Sequence, residues 1–399
     1  MAVRAPSDSL APMRARASAT VMLNETLAAL RAKGETVHSL ASGDPDFATP
    51  QHIVEAAIAS LQRGETHYAP TRGIPPLLEA IAHYRRRRDG AEVDPTREVL
   101  VSPSAKAALA TAVPALIGIG EKAMILTPSW VSYSELVRIA GGVPYEVPLA
   151  ADDDFRLTYD RLRSSWREGT RLLIVNSPNN PTGRIFDHDE IEALVRFSSE
   201  RDLIIISDEI YEEIAFARPN IGLLSWPEGR ERTVLVSGMS KAFAMSGWRL
   251  GYAVGPAALI DRLLPVHQHT LACVPAFVQH AGAAALAGSF EPVETMARTY
   301  KERCMAVLDV LSASQQLRAV MPDGAFYLFV DISKTPHPES GEFAQRALSE
   351  AGVLVVPGES FGAGGERHVR LGMTAPRAAL VASARRLVDW LEASDNDEN

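Results

Sequence analysis

The sequence predicts an α/β fold, a mainly parallel sheet covered by helices, joined to a smaller α+β domain. Three observations carry that prediction. Short β-branched runs alternate with longer helical patterns through the middle of the chain, the order of a parallel sheet with crossover helices. The runs are apolar without alternation, as strands covered on both faces must be. From about residue 290 the pattern changes to one long helix, three strand-like runs and a closing helix.

In chain order the core runs are REVLVS (97–102), KAMIL (122–126), RLLIVNS (171–177), LIIIS (203–207) and TVLVS (233–237). The stretches between them read as helices, for example 104–117 and 189–201. The later runs are GAFYLFVDI (324–332), GVLVVPG (352–358) and HVRLGM (368–373), with the last helix starting near Pro376. This places a large domain at 46–289 and a small one at 1–45 plus 290–399, with no repeat or low-complexity linker between them, so close packing is expected. The acidic end EASDNDEN reads as a frayed tail.

Composition narrows the function. The 399 residues are 46% hydrophobic, enough for a core well beyond a minimal domain. Lys and Arg total 40 against 49 for Asp and Glu, a net charge of -9 that argues against a general nucleic-acid binder or a protein held on anionic membrane. Small-molecule partners are expected, and the run Arg85 to Arg88 reads as a solvated helix face. The two cysteines, Cys273 and Cys304, make no disulfide framework and lack metal-ligand spacing, which points to a reducing compartment, the cytoplasm, and to no metal. The first twenty residues lack the apolar block of a signal peptide, and no apolar run approaches the roughly 18 residues of a membrane span.

Open α/β sheets bind ligands at the carboxyl ends of their strands. Ser104 and Ala105 open a helix after the first run, where free N–H groups favour a phosphate, or simply an ordinary N-cap. Trp130 follows the second run and suits stacking on a ring, or plain core packing. Asp208 ends a very apolar run, where a carboxylate needs a cationic partner; a pyridinium and an arginine both qualify. Tyr211 is one helical turn further on and can share its face. Lysine is scarce, with only Lys33, Lys106, Lys122, Lys241, Lys301 and Lys334, and Lys241 directly follows a core strand, within SKAFAMSGWR. Apolar and cationic neighbours would lower its pKa and make it nucleophilic. Arg249 suits a phosphate and Arg370 a carboxylate, although either alone reads as a surface ion pair.

With these residues assembled, the chain resembles the class I, fold-type I pyridoxal-phosphate aminotransferases, in particular the bacterial aspartate-aminotransferase-like branch, from about Ser18 to the final helix. The segments that carry the resemblance are SGDPDF (42–47), HYAPTRGIPPLLEAIA (67–82), PSWVSY (128–133), NSPNNPTG (176–183), SDEIY (207–211), SKAFAMSGWRLGYAVG (240–255), GAFY (324–327) and VRLGMT (369–374). It implies pyridoxal 5′-phosphate bound to Lys241 as a Schiff base, with Lys241 then moving the proton between substrate and cofactor. It also implies Asp208 on the pyridine nitrogen, Tyr211 and Asn180 on the phenolic oxygen, and Trp130 on the ring. Ser104, Ala105, Ser240 and Arg249 would hold the phosphate, with Tyr68 reaching in from the partner of a homodimer. Arg370, Asn180 and the backbone at Gly43 would bind the substrate α-carboxylate.

The implied activity is ping-pong transfer of an amino group from an L-amino acid to a 2-oxo acid. Aspartate or glutamate with 2-oxoglutarate or oxaloacetate is the expected pairing. Lys106, beside the phosphate segment, is the candidate reader of a distal carboxylate, and Thr20 matches an arm that covers the site. The segment VHQHTLACVPAF (266–277) departs from that branch and looks more like relatives acting on basic or neutral amino acids, with His267, His269 and Cys273 as candidate lining of a partner's pocket or as packing, so an aminotransferase for basic, aromatic or neutral amino acids is the alternative. A lyase or oxidase on the same scaffold stays open, whereas ligand-sensing regulators of this fold carry an added DNA-binding domain for which the short leader leaves no room. The G-x-S-x-G pattern at 358–362 is discounted as a hydrolase elbow, because His368 follows after only eight residues with no Asp between.

Overall fold

The computed structural model describes residues 15–16, 19–34 and 36–397. Its strands in chain order are β1 (His38–Ser39), β2 (Val99–Ser102), β3 (Lys122–Thr127), β4 (Val143–Pro148), β5 (Thr170–Asn176) and β6 (Ile204–Asp208). They continue with β7 (Thr233–Gly238), β8 (Gly251–Val254), β9 (Tyr327–Asp331), β10 (Val353–Leu354), β11 (Val356–Pro357) and β12 (His368–Gly372). Seven of them form one sheet in the order β2-β8-β7-β6-β5-β3-β4. A three-stranded antiparallel sheet, β11-β12-β9, lies apart from it, and β1 pairs with β10 in parallel.

The continuous apolar runs behave as their composition requires. Along β3, Ala123 and Ile125 join one buried cluster and Met124 and Leu126 the other; along β5, Leu172 and Ile174 part in the same way from Leu173 and Val175. Successive side chains point to opposite faces of a strand, so a sheet covered by helices on both sides needs an apolar residue at every position. The helices keep their sequence signals. Ser104 caps Ala105–Leu116 by accepting from Ala107 N, and Asp187 with Glu190 forms a reciprocal capping box on His188–Glu200.

Two strands of the large sheet were not legible in the sequence. β4 reads VPYEVP, an edge strand carrying two prolines, and β8 is only four residues, GYAV. β8 also runs antiparallel to both neighbours, so the sheet is parallel only from β7 to β4. The acidic end is helical through Asp397, in the helix Arg377–Asp397, rather than a tail.

The reading of Arg85 to Arg88 as a solvated face is wrong for half of the run. Arg85 is fully buried and bonds Glu212 Oε2 at 2.8 Å, Asp89 Oδ2 at 3.1 Å and Tyr252 Oη at 2.6 Å. Arg88 is mostly covered and bonds Glu213 Oε1 at 2.6 Å. The run lies on the helix Pro75–Asp89, which turns these side chains toward the acidic segment just after β6. A local count of like charges cannot show a counter-charge more than a hundred residues away.

Candidate active site

A cavity of about 500 Å³ opens at the carboxyl ends of β3, β5, β6 and β7, with Arg370 of β12 across from them. Adjacent parallel strands finish in register, Asn176 opposite Asp208, so the residues that follow each strand converge there. Gly43, Ser104, Ala105, Lys106, Trp130, Asn180, Asp208, Tyr211, Ser240, Lys241, Arg249 and Arg370 all line it.

At one end Asp208 is buried at 4% exposure. Its Oδ2 accepts from Tyr133 Oη at 2.7 Å and its Oδ1 from Ile210 N at 3.2 Å. Burial pushes the carboxyl up to about 6, against the pull of these hydrogen bonds. No cationic side chain hydrogen-bonds or ion-pairs with it among the described residues, so a cation supplied by a ligand would complete its environment. Asn176 donates to Asp208 O at 2.8 Å and accepts from Asn180 N at 2.8 Å, tying the loop after β5 to the end of β6.

Lys241 lies in the turn after β7, its Nζ donating to Gly43 O at 2.7 Å. Burial lowers its pKa to about 8, opposed by nearby Asp44 and reinforced by Arg370 and Arg249. An amine in that range is a neutral nucleophile about a tenth of the time at pH 7, far more often than an ordinary lysine.

The helix Ala105–Leu116 points its N-terminus at the cavity. Ser104 takes the N–H groups of Ala107 and Ala108, which leaves those of Ala105 and Lys106 at the cavity wall. β8 backs this helix start: a Cβ at Gly251 would come within 2.3 Å of Ala105 N, so only glycine permits the approach. Arg249 is exposed beside it with its Nη1 on Ser246 O at 2.7 Å, and Lys106 Nζ lies 5.0 Å from the centre of the Trp130 ring. Partial burial and the Arg249 charge lower the Lys106 pKa. This corner is suited to a phosphate.

Opposite, Arg370 is 3% exposed, bonding Asn180 Oδ1 at 3.0 Å and Ala41 O at 2.9 Å, with its guanidinium 4.3 Å from the centre of the Tyr327 ring. A guanidinium so held is suited to a carboxylate.

Tyr68, His267, His269 and Cys273 are not brought into the cavity of this chain. Tyr68 is 93% exposed and does not line it. Thr20 lies on the first turn of the helix Ala19–Ala32, and its side chain is outside the described residues. His267 is buried in the helix Ala257–Thr270 and, like His269 and Cys273, does not line this chain's cavity. Among the cavity residues that sequence reasoning left without a role are Tyr133, Asn176 and Tyr327. Each sits inside a segment already singled out, but only the fold shows that Tyr133 reaches Asp208 and that Tyr327 reaches Tyr211.

The chemistry of this wall matches one class of cofactor. An amine, a buried acid awaiting a cation, a helix N-terminus with an arginine and an aromatic side chain together accommodate a flat, phosphorylated, aldehyde-bearing pyridine. Comparison with known proteins agrees. The family model for aminotransferase class I and II matches residues 35–387. Aspartate aminotransferase of Geobacillus stearothermophilus is 37% identical over 383 residues, covering 94% of this chain and 96% of that one. The solved structure of Thermus thermophilus aspartate aminotransferase with maleate superposes with a TM-score of 0.92 at 38% identity, covering 98% of this chain and all of that one. That of the aromatic aminotransferase from Pyrococcus horikoshii superposes at 0.88 and 38% identity, covering 94% and 99%. Members of this family use pyridoxal phosphate, and the chain belongs to it: this is a class I pyridoxal-phosphate-dependent aminotransferase of the aspartate aminotransferase type.

Proposed function

We propose that this aminotransferase takes aspartate or glutamate as donor and 2-oxoglutarate or oxaloacetate as acceptor. The observation that carries the reading is a cation on the cavity wall beyond those given to the cofactor and the α-carboxylate: Lys106, against Trp130, in addition to Lys241, Arg249 and Arg370. Arg370 and Asn180 bind the α-carboxylate, and Lys106 reads the distal one. The relatives named for aspartate support the same class of substrate. A second reading, aromatic substrates, draws on the relative named for them.

When bound, the cofactor supplies the aldehyde and the electron-withdrawing ring. Lys241 would hold it at rest through its amine and, with that amine free, would move the proton between the substrate α-carbon and the cofactor's C4′. Asp208, held by Tyr133, would keep the pyridine nitrogen protonated, Tyr211 and Asn180 would hydrogen-bond the phenolic oxygen, and Trp130 would pack on the ring. Ser104, Ala105, Ser240 and Arg249 hold the phosphate, and the carbonyl of Gly43 holds the Lys241 amine until the cofactor arrives.

The active unit is a homodimer in this reading, because the exposed Tyr68 is free to serve a partner's cavity. The division into 46–289 and 1–45 plus 290–399 draws support from the sheets: the large one falls within residues 99–254, while β1 pairs with β10. Among the described residues no helix is long and apolar enough to cross a membrane, and both cysteines are free, in keeping with a cytoplasmic address.

Single-turnover absorbance scans against a panel of amino acids, with each 2-oxo product identified, test the substrate. Fast conversion by aspartate and glutamate supports the dicarboxylate reading. Preference for aromatic, basic or aliphatic amino acids overturns it, and loss of the starting spectrum without a 2-oxo acid points to lyase or oxidase chemistry.

A further inference from the structure

Tyr327, the first residue of β9, touches three parts of the site at once. Its Oη lies 2.8 Å from Tyr211 Oη. Its ring lies under Arg370, on the neighbouring strand β12. Its hydroxyl also fills the space where a Cβ at Gly43 would stand, 2.6 Å away, and Gly43 O is the acceptor of Lys241. The side chain is 2% exposed, so none of these contacts is a surface accident.

The backbone around it is stitched to the segment after β6. Ala325 N donates to Ile214 O at 2.8 Å and Phe216 N to Asp323 O at 2.7 Å, while Phe326 packs edge-on against Tyr211 at 5.4 Å. Tyr327 and Tyr211 therefore keep their relative positions as one unit.

A phenol has one proton to give. If Tyr211 gives its proton to Tyr327, nothing is left for a ligand in the cavity; if Tyr327 gives its proton to Tyr211, the Tyr211 proton is available there. A guanidinium over the Tyr327 ring makes that phenol the better donor, because positive charge stabilises the developing negative oxygen. We propose that Tyr327 is a positioning residue: its hydroxyl donates to Tyr211 and so aims the Tyr211 proton at the cofactor's phenolic oxygen, and its ring seats Arg370, coupling carboxylate binding to the cofactor's polarity. This rests on the roles of Tyr211 and Arg370 given under Proposed function.

The test is a pH titration of the visible cofactor absorbance of the holoenzyme, with and without succinate, in wild type, Tyr327→Phe and Tyr211→Phe. A hydrogen bond to the phenolic oxygen favours its deprotonated form, so weakening it raises the midpoint, by about half to one pH unit for Tyr327→Phe. Succinate adds negative charge and raises the wild-type midpoint further. In Tyr327→Phe that increment falls to about half or less. A wild-type midpoint or a wild-type succinate increment in Tyr327→Phe, with Tyr211→Phe displaced, overturns this proposal alone, even if thermal stability has dropped. An undisplaced midpoint in Tyr211→Phe overturns the role of Tyr211 itself, and this proposal with it.

Discussion

Tyr133 Oη donates to Asp208 Oδ2 at 2.7 Å, from the helix Ser132–Ile139 to the last residue of β6. That bond holds one orientation of an acid that burial would otherwise destabilise in its charged form.

The cofactor-free protein should show this cost directly. Asp208 releases its proton near its ordinary value when unfolded and at about 6 when folded. Between roughly pH 4 and 6 the unfolded state therefore binds fewer protons, and stability falls as pH rises, by up to about 3 kcal/mol from this group. Urea unfolding of Asp208→Asn should lose that decline, and Tyr133→Phe should extend it above pH 6. An identical pH profile in Asp208→Asn would refute the assignment.

Lys241 should react with added pyridoxal phosphate at a rate that climbs through about pH 8, since only the neutral amine is a nucleophile. Stopped-flow absorbance of the cofactor-free protein reads it, and a rate that climbs only toward pH 10 contradicts the buried amine. Lys241→Ala should lower turnover by about 10²–10⁴-fold or more, the range for losing a positioned acid–base group.

Arg85→Met should destabilise the protein by about 3–5 kcal/mol, because Asp89 would lose its ion pair and Glu212, still buried, would keep only Arg88. Glu209, its carboxyl raised to about 8 by burial and then by Glu212 and Asp89, is mostly protonated near neutral pH and so leaves the negative charge of this cluster to its neighbours. Equilibrium urea denaturation measures the loss, and a change within about 1 kcal/mol would show that the cluster tolerates the missing charge.

Lys106→Ala should reduce the kcat/KM preference for aspartate over alanine by about 10–100-fold, the value of one charge-assisted hydrogen bond. Steady-state kinetics with both donors decide it, and an unchanged ratio removes Lys106 from substrate reading.

Much of this was legible along the chain. The five apolar runs mark β2, β3, β5, β6 and β7, and the residues just past them form most of the cavity wall, because strand ends and helix starts are local events. What stayed hidden depends on distance. Arg85 finds Glu212, Tyr133 finds Asp208, and Tyr327 finds both Tyr211 and Arg370. Residue type and periodicity determine the strands, the caps and which side chains can do chemistry. Only tertiary packing decided which of them share a hydrogen bond, because such pairings depend on where the helices and the small sheet settle against the large one, and no residue's neighbours in sequence record that.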